Sequence, residues 1–398
     1  MRGELSAGRY SAGMTAESPS MVRLVDDGRG TFGPLTDLRS AEDLRCGLFT
    51  IGERLLRAGA VIAPSRGAGT LVVHARLLST ASLAGIALGE RRVTASGVFV
   101  AAFVRGALDA ADARSVALDA SGASDARVEA EFAETPWSIT ARIERTLQED
   151  LAVASPGERR ALAQGEGTAV GEHPVFIDPT ASIGPCCVID ATKGAVVIGP
   201  RAVVRPFAVL VGPCIVGEGS IVAEHARLKA STVIGPRCRV GGEIGGTIFQ
   251  GSSNKAHDGH LGDSFVGEWV NIGAGSDNSN LLNTYGEVIV RLEPEGGLVR
   301  TGRQFWGSVI GDHAKLAIGT RLMTGTTIGT GAMIALSKPP ATLVPRFAWL
   351  TDGADGPRSY RFDKFMETAR AMMSRRGEVP TPALEARLRE LHARATGL

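Results

Sequence analysis

Residues 198–240 read IGPRAVVRPFAVLVGPCIVGEGSIVAEHARLKASTVIGPRCRV. Every sixth position from Ile198 is aliphatic: Val204, Leu210, Val216, Val222, Leu228, Ile234 and Val240. The frame begins earlier with Ile177, Ile183 and Ile189, slips by three residues, and returns as Ile310, Leu316, Leu322, Ile328 and Ile334. A period of six matches neither a helix nor a flat strand. It matches a solenoid of short strands, in which each aliphatic side chain points inward at an equivalent place on a three-sided coil. Glycine follows in Ile183-Gly184, Ile198-Gly199, Val216-Gly217, Ile234-Gly235, Ile310-Gly311 and Ile328-Gly329, where a Cβ would crowd a corner.

Composition bounds the remainder. A chain of 398 residues holds two or three domains. A net charge of +1 gives no field for nucleic acid. The 51 glycines and 5% aromatics suit tight corners and a thin aliphatic core. No apolar run of about 18 residues predicts a membrane span. Cys46, Cys186, Cys187, Cys214 and Cys238 are odd in number and lack a Cys-x-x-Cys spacing, so reduced thiols and a cytoplasmic location are expected. Residues 1–20, rich in Ser, Gly and Ala, read as a disordered leader rather than a signal peptide.

Upstream of the repeat, residues 21–165 read as a small α/β domain. Met21–Val25 is a short strand, Asp26-Asp27-Gly28 a turn, and the chain around Asp43–Arg54 a helix. Arg39 and Arg45 present guanidinium forks that match phosphate oxygens, with Thr50 beside them. As structure, the same arginines are surface charges and Thr50 is a cap. Asp26 and Asp27 are the best candidates for Mg²⁺, and read equally well as a turn. Residues 101–132 predict a helix and a polar connection, and 155–172 a hinge into a solenoid spanning 173–350. The sixfold frame breaks between Glu243 and Asn254 and again over 291–305, and loops that leave a regular scaffold are where sites are built. After Lys338-Pro339-Pro340 the repeat stops, and the C-terminal segment 355–398 predicts two amphipathic helices, over 361–375 and 381–395.

The segment richest in chemistry is 254–285. It holds Asn254-Lys255-Ala256-His257-Asp258-Gly259-His260-Leu261-Gly262-Asp263, then Asn271-Ile272-Gly273-Ala274-Gly275, then Asn278, Asn280, Asn283 and Tyr285. Strand interiors disfavour Asn, so these amides are expected to face a cleft and bond to something polar. Acyl transfer to an amine needs a base that takes the ammonium proton, and histidine suits this at neutral pH. It also needs donors for an oxyanion, which the backbone N–H groups of Gly273-Ala274-Gly275 can supply. His225 reads as a surface residue, and His313, in Gly311-Asp312-His313, as either a satisfied or a site histidine.

The repeat resembles the hexapeptide acyltransferases. The resemblance implies a mainly β fold, a left-handed parallel β-helix with a smaller α/β N-terminal domain and C-terminal helices, assembled as a homotrimer. Within it the chain resembles an alternative bacterial form of the bifunctional GlmU enzyme. The matching residues are Pro34-Leu35-Thr36, Leu44-Arg45-x-Gly47, Thr50-Ile51-x-Glu53-Arg54, Pro136-Trp137-Ser138, Asn254-Lys255-x-His257-Asp258-Gly259, Asn271-Ile272-Gly273-Ala274-Gly275, Asn278-Ser279-Asn280-Leu281 and Pro345-Arg346-Phe347-x-Trp349. This implies acetyl transfer from acetyl-CoA to the amine of an amino sugar phosphate such as glucosamine-1-phosphate, with His257 as base. Lys255, His260, Asn271, Asn280 and Tyr285 then contact the substrate, and Gly273, Ala274 and Gly275 the acetyl group. UTP and Mg²⁺ enter only if the N-terminal domain is active. No Gly-x-Gly-Thr-Arg loop precedes Pro34, so that domain reads as a degenerate nucleotidyltransferase with weak or absent uridylyl transfer. Where GlmU has a Tyr three residues after the base, this chain has His260. The alternatives are a bifunctional enzyme that also forms UDP-N-acetylglucosamine and a non-catalytic sugar-nucleotide-binding trimer. A zinc site like that of the trimeric carbonic anhydrases needs a His pair five apart and a third His; here the pair is His257-x-x-His260 among Asn, so no metal is expected. Because the matched transfer residues lie beyond 250, a solenoid of about 170–398 is expected to trimerise and acetylate by itself.

Overall fold

The computed structural model describes residues 21–62, 69–118, 125–153, 160–353, 356 and 358–397. The expected leader lies outside the described residues, as does part of the expected hinge. The sixfold frame becomes a left-handed parallel β-solenoid with faces of nine, ten and six strands. On the nine-stranded face Ile177, Ile198, Val216, Ile234, Phe249, Val266, Ile310, Ile328 and Val344 pair in successive register. All nine point into the core of the coil. Neighbouring residues of a strand point to opposite sides, so Ile215, Val233, Ile248, Phe265 and Val309 point outward. They are nevertheless at most 3% exposed. This face is apolar on both sides, as a parallel sheet covered twice must be.

The N-terminal α/β unit provides the second cover. Its strands are β1 (Met21–Val25), β2 (Thr70–His74), β3 (Arg91–Val93), β4 (Phe99–Val104) and β5 (Ala126–Arg127), in the order β1-β2-β4-β3-β5. Its helices are α1 (Ile51–Ile62), α2 (Ala110–Leu118), α3 (Pro136–Thr140) and α4 (Ile143–Val153). Leu35, Leu44, Ile51, Leu55, Ile139 and Leu147 form one core with the outward residues of the nine-stranded face. The break at 291–305 is part of the same contact. It carries an antiparallel hairpin, Ile289–Val290 with Val299–Arg300, and its Val288, Val290, Leu292 and Trp306 join that core. Trp306 meets Trp137 edge-to-face at 5.6 Å.

The phosphate candidates are spent in this junction. The Arg39 guanidinium donates to Asp312 Oδ1 at 3.0 Å, Glu268 Oε2 at 3.0 Å and the Leu35 carbonyl at 3.1 Å. Burial pushes the Asp312 carboxyl up to about 6 against the pull of Arg39. Arg45 donates to the Gln250 and Leu48 carbonyls at 3.2 and 2.8 Å. Thr50 opens α1 with a capping box: its N–H donates to Glu53 Oε2 at 2.9 Å, and its Oγ1 accepts from the Glu53 N–H at 3.2 Å. Asp26 and Asp27 cap their own turn through the Gly28 and Arg29 N–H groups. Burial raises the Asp27 carboxyl, but the Arg29 N–H, Arg76 and His74 outweigh it and bring it to about 2. A carboxylate already neutralised by a guanidinium at 2.8 Å is a poor ligand for Mg²⁺.

At the other end, α5 (Phe362–Ser374) and α6 (Pro382–Thr396) fall within a residue of the expected helices. Phe365, Met366, Leu388 and Leu391 close the last coils over Phe347. Thr381 caps α6 by accepting from the Leu384 N–H, Pro382 stands in the first turn, and Gly397 at φ +70° ends it. The six-stranded face begins before 173, with Gly167–Val170. Neither the unit nor the helices contribute strands to that face.

A solenoid without its N-terminal unit would bare five large apolar side chains, each worth about 1.5–3 kcal/mol when buried, and leave Asp312 without its guanidinium. The fragment 161–398 is therefore expected to be insoluble or to bind an apolar dye strongly, contrary to the autonomy that the sequence suggests. Sedimentation and dye titration of that fragment decide this, and a soluble trimer that does not bind the dye would contradict it.

Candidate active site

The corner that joins the ten-stranded face to the six-stranded face has a constant length in most coils. From the last inward residue of one strand to the first outward residue of the next the chain runs five positions: Val204 to Val209, Val222 to Arg227 and Lys255 to His260; the corners that lead into the separate two-stranded ladder Asp277–Asn278 with Arg321–Leu322 run the same five, Ile272 to Asp277 and Leu316 to Arg321. In one coil, Val240 to Glu243, it runs only three. The corner there is Gly241-Gly242 alone. Gly242 is at φ +71°, and a Cβ on it would stand 2.6 Å from the Gly259 carbonyl oxygen. Only glycine closes this turn beneath the next coil. This short corner lies just before the stretch from Glu243 to Asn254 over which the sixfold frame of the sequence breaks.

A cavity of about 530 Å³ opens over the clipped corner. The coil below contributes His225 and Arg227, the clipped coil Gly242 and Glu243, the coil above Asp258, Gly259 and His260, and the next Asp277. Glu243 is the electrostatic hub. Its carboxylate meets Lys229 Nζ at 2.5 Å, the Arg227 guanidinium at 2.9 Å and His260 Nδ1 at 3.4 Å. The Lys229 hydrogen bond foremost holds it below the usual carboxylate range. Asp277 Oδ1 accepts the His260 backbone N–H at 2.6 Å and so fixes the start of that strand.

Lys255 builds the site from behind rather than lining it. Its side chain points inward and is 1% exposed. The ammonium donates to the Gly241, His257 and Gly259 carbonyls at 3.2, 3.1 and 2.8 Å. Its three protons are thereby used, and none remains for a substrate. Burial lowers it to about 8 against the pull of Asp277 and Asp258, so it stays cationic at neutral pH. The staple ties the clipped corner to the one above.

The other residues singled out in the sequence fall around this notch. His257 is exposed on the corner itself, at the rim, and is not among the cavity walls. His260 is a wall. Asn280 lies beside it: a Cβ on Gly262 would be 2.7 Å from both His260 Nε2 and Asn280 Nδ2. Asn280 donates to Asp263 Oδ2 at 2.6 Å. Asn271 lies on the ten-stranded face and accepts from Asn254 at 2.9 Å. Asn278 is buried and holds both the N–H and the carbonyl of Gly262. These amides thus satisfy the chain and one another, which the expectation of an Asn-lined cleft did not foresee. In Gly273-Ala274-Gly275 two donors are spent on neighbouring coils, Gly273 on Leu316 and Gly275 on Asp258; the Ala274 N–H alone is left for an oxyanion among the described residues. Tyr285 is 68% exposed in the insertion and is not a cavity wall. His313 is buried between Trp269 and Phe365, and burial holds it well below its ordinary range. Sequence reasoning missed Arg227, Glu243, Asp258 and Asp277 and set His225 aside. The signal was the doublet Gly241-Gly242 inside an otherwise constant corner.

Residues 195–230 match the bacterial transferase hexapeptide (six repeats) family model. The solenoid is similar to the hexapeptide-repeat region of GlmU-type transferases. The chain is 29% identical over 231 residues to the bifunctional protein GlmU of Bordetella parapertussis, a match covering 51% of this chain and 45% of that one. It is 32% identical over 137 residues to the bifunctional protein GlmU of Methanococcus vannielii, covering 34% and 27%. The chain thus spans less than half the length of these GlmU relatives. Among solved structures, the UDP-N-acetylglucosamine acyltransferase of Francisella novicida aligns over 56% of this chain and 77% of its own at 18% identity, with a TM-score of 0.32, too low to carry an argument. Among the described residues no helix of the chain is long and apolar enough to cross a membrane.

Replacing Lys255 by Met leaves three carbonyls over the notch without their donor. The expected cost is about 2–4 kcal/mol, read as a fall in the urea midpoint at unchanged slope. A midpoint equal to the wild type would show that the staple is dispensable.

Proposed function

We propose that the clipped corner is the acceptor pocket of an acetyltransferase that moves an acetyl group from acetyl-CoA to the amine of an amino sugar phosphate. The observation that carries this is the pairing of an imidazole wall, His260, with a carboxylate 3.4 Å away at Glu243, inside a cavity sized for a sugar phosphate. Asp258 and Asp277 offer negative charge to the incoming ammonium, and Arg227 and Lys229 offer positive charge to its phosphate. The ammonium first loses one proton to solvent. The freed amine attacks the thioester carbonyl while the His260 imidazole takes a second N–H proton, the C–N bond forms, and the oxyanion meets the Ala274 N–H. The C–S bond then breaks, and the leaving thiolate takes that proton from the imidazolium.

His260 suits the base better than His257, because it lines the cavity and has a carboxylate to orient it. His257, at the rim, is then placed to meet the acyl donor. Asn271 and Asn280 act by tying neighbouring coils, Asn271 to Asn254 and Asn280 to Asp263, and Tyr285 takes no part. Three copies packed by their uncovered six-stranded faces would form a homotrimer with acetyl-CoA between neighbouring solenoids, in the cytoplasm. Uridylyl transfer loses support, since Arg39 and Arg45 are engaged in the interdomain junction, Thr50 caps α1 through Glu53, and Asp27 pairs with Arg76.

Turnover of glucosamine-1-phosphate with acetyl-CoA is expected to fall by about 10² to 10⁴ in His260→Ala, and by less in His257→Ala. The reverse order returns the base to His257. Wild-type rates in both variants, at saturating acceptor, would falsify the site.

A further inference from the structure

The corner over which the cavity opens carries a column of residues at positive φ, one per coil: Cys186, Phe207, His225, Gly242, Gly259, Gly275 and Gly319. The column bears side chains up to His225 and none above it. Phe207 and His225 stack face to face, with ring centroids 5.0 Å apart and planes within 3°. The backbone holds them there, since the Phe207 N–H donates to the Pro185 carbonyl and the His225 N–H to the Pro206 carbonyl. Phe207 thus covers one face of the imidazole. The other face looks toward the next coil, where the corner is the clipped Gly241-Gly242 and has no side chain to cover it. His225 is exposed and is a wall of the cavity.

From this geometry we infer that His225, braced by Phe207, is the floor of the acceptor pocket and stacks against the flat face of the acceptor's hexosamine ring. Its identification as a sugar ring rests on the transfer reading; the bare aromatic face does not. The pieces are complementary in chemistry. A pyranose has an apolar C–H face, which an aromatic plane accepts. Its polar edges would then lie toward Arg227 and Glu243 on one side and Asp258 and His260 on the other, all walls of the same cavity. Phe207 acts as a positioning residue, because it touches the imidazole and not the cavity. Its own ring is half exposed, at 50%, which is unfavourable for an isolated aromatic and is offset here by the stack.

The test compares two amines that share an ammonium and a phosphate but differ in the ring: glucosamine-1-phosphate and O-phosphoethanolamine. The variant is His225→Asn, because Asn is among the side chains that best tolerate a positive φ and it removes the ring without straining the corner. His225→Tyr restores an aromatic plane. Binding by titration calorimetry and turnover with acetyl-CoA are both read on the full chain. His225→Asn is expected to raise Kd and KM for glucosamine-1-phosphate about 5- to 10-fold at nearly constant kcat, with no effect on O-phosphoethanolamine. Tyr is expected to recover most of the loss, and Phe207→Ala to give a smaller rise. Unchanged Kd and KM for the sugar in His225→Asn, or an equal rise for both amines, overturns the floor while leaving acetyl transfer standing. Sugar binding that weakens as expected without turnover in the wild type supports the floor and sinks the transfer reading instead. If glucosamine-1-phosphate does not bind the wild type, the floor is overturned as well.

Discussion

Each coil of the solenoid must pass its three strands to the next in register, because the parallel ladders bind every coil to its neighbours. A coil that loses residues can therefore lose them only at corners. The coil through Val240 does so at Gly241-Gly242, and the features of the candidate site follow from that. The corner retreats, a cavity opens, and the side chains that would have met across a full corner line its walls. Lys255 then takes up the carbonyls that the retreat leaves around Gly241 and Gly259. A buried cation over three carbonyls is stable here only because the short corner brings those carbonyls together.

The same ladders explain why the N-terminal unit shares a core with the solenoid. A parallel face with aliphatic residues on both sides needs two covers. The coil interior is one, and the α/β unit with the hairpin of the insertion is the other. The polar residues around that contact, Arg39 with Asp312 and Glu268, Arg346 with Asp37 and Glu293, seal its edge as paired charges. An arginine committed to a buried carboxylate cannot also serve a triphosphate. This is why guanidiniums that match phosphate geometry in the sequence have another task in the fold.

Charge within the notch is balanced rather than strongly signed. Glu243 sits between Arg227, Lys229 and His260, with Asp258 and Asp277 nearby. Such a site suits a ligand that carries both signs. It suits a simple polyanion less well, because the acids would oppose it.

The sequence by itself determined the solenoid, the glycine-bearing corners and the two C-terminal helices, and it marked 254–285 as the stretch densest in polar residues unusual for a coil. These are local patterns: a period of six, a cap, a helical stripe, a cluster of unusual residues. His260 was legible for the same reason. Tertiary structure alone decided that Lys255 is a staple, that Arg39 and Arg45 are clamps, that Asn271 and Asn278 satisfy the chain, and that His225, Arg227 and Glu243 belong with His260. Those four lie on three successive coils, so their meeting depends on the register between coils. That register is set where a corner gives up two residues. A one-dimensional pattern shows that a frame has slipped, but only the stacked coils determine which corner absorbs the slip and which side chains then face the gap.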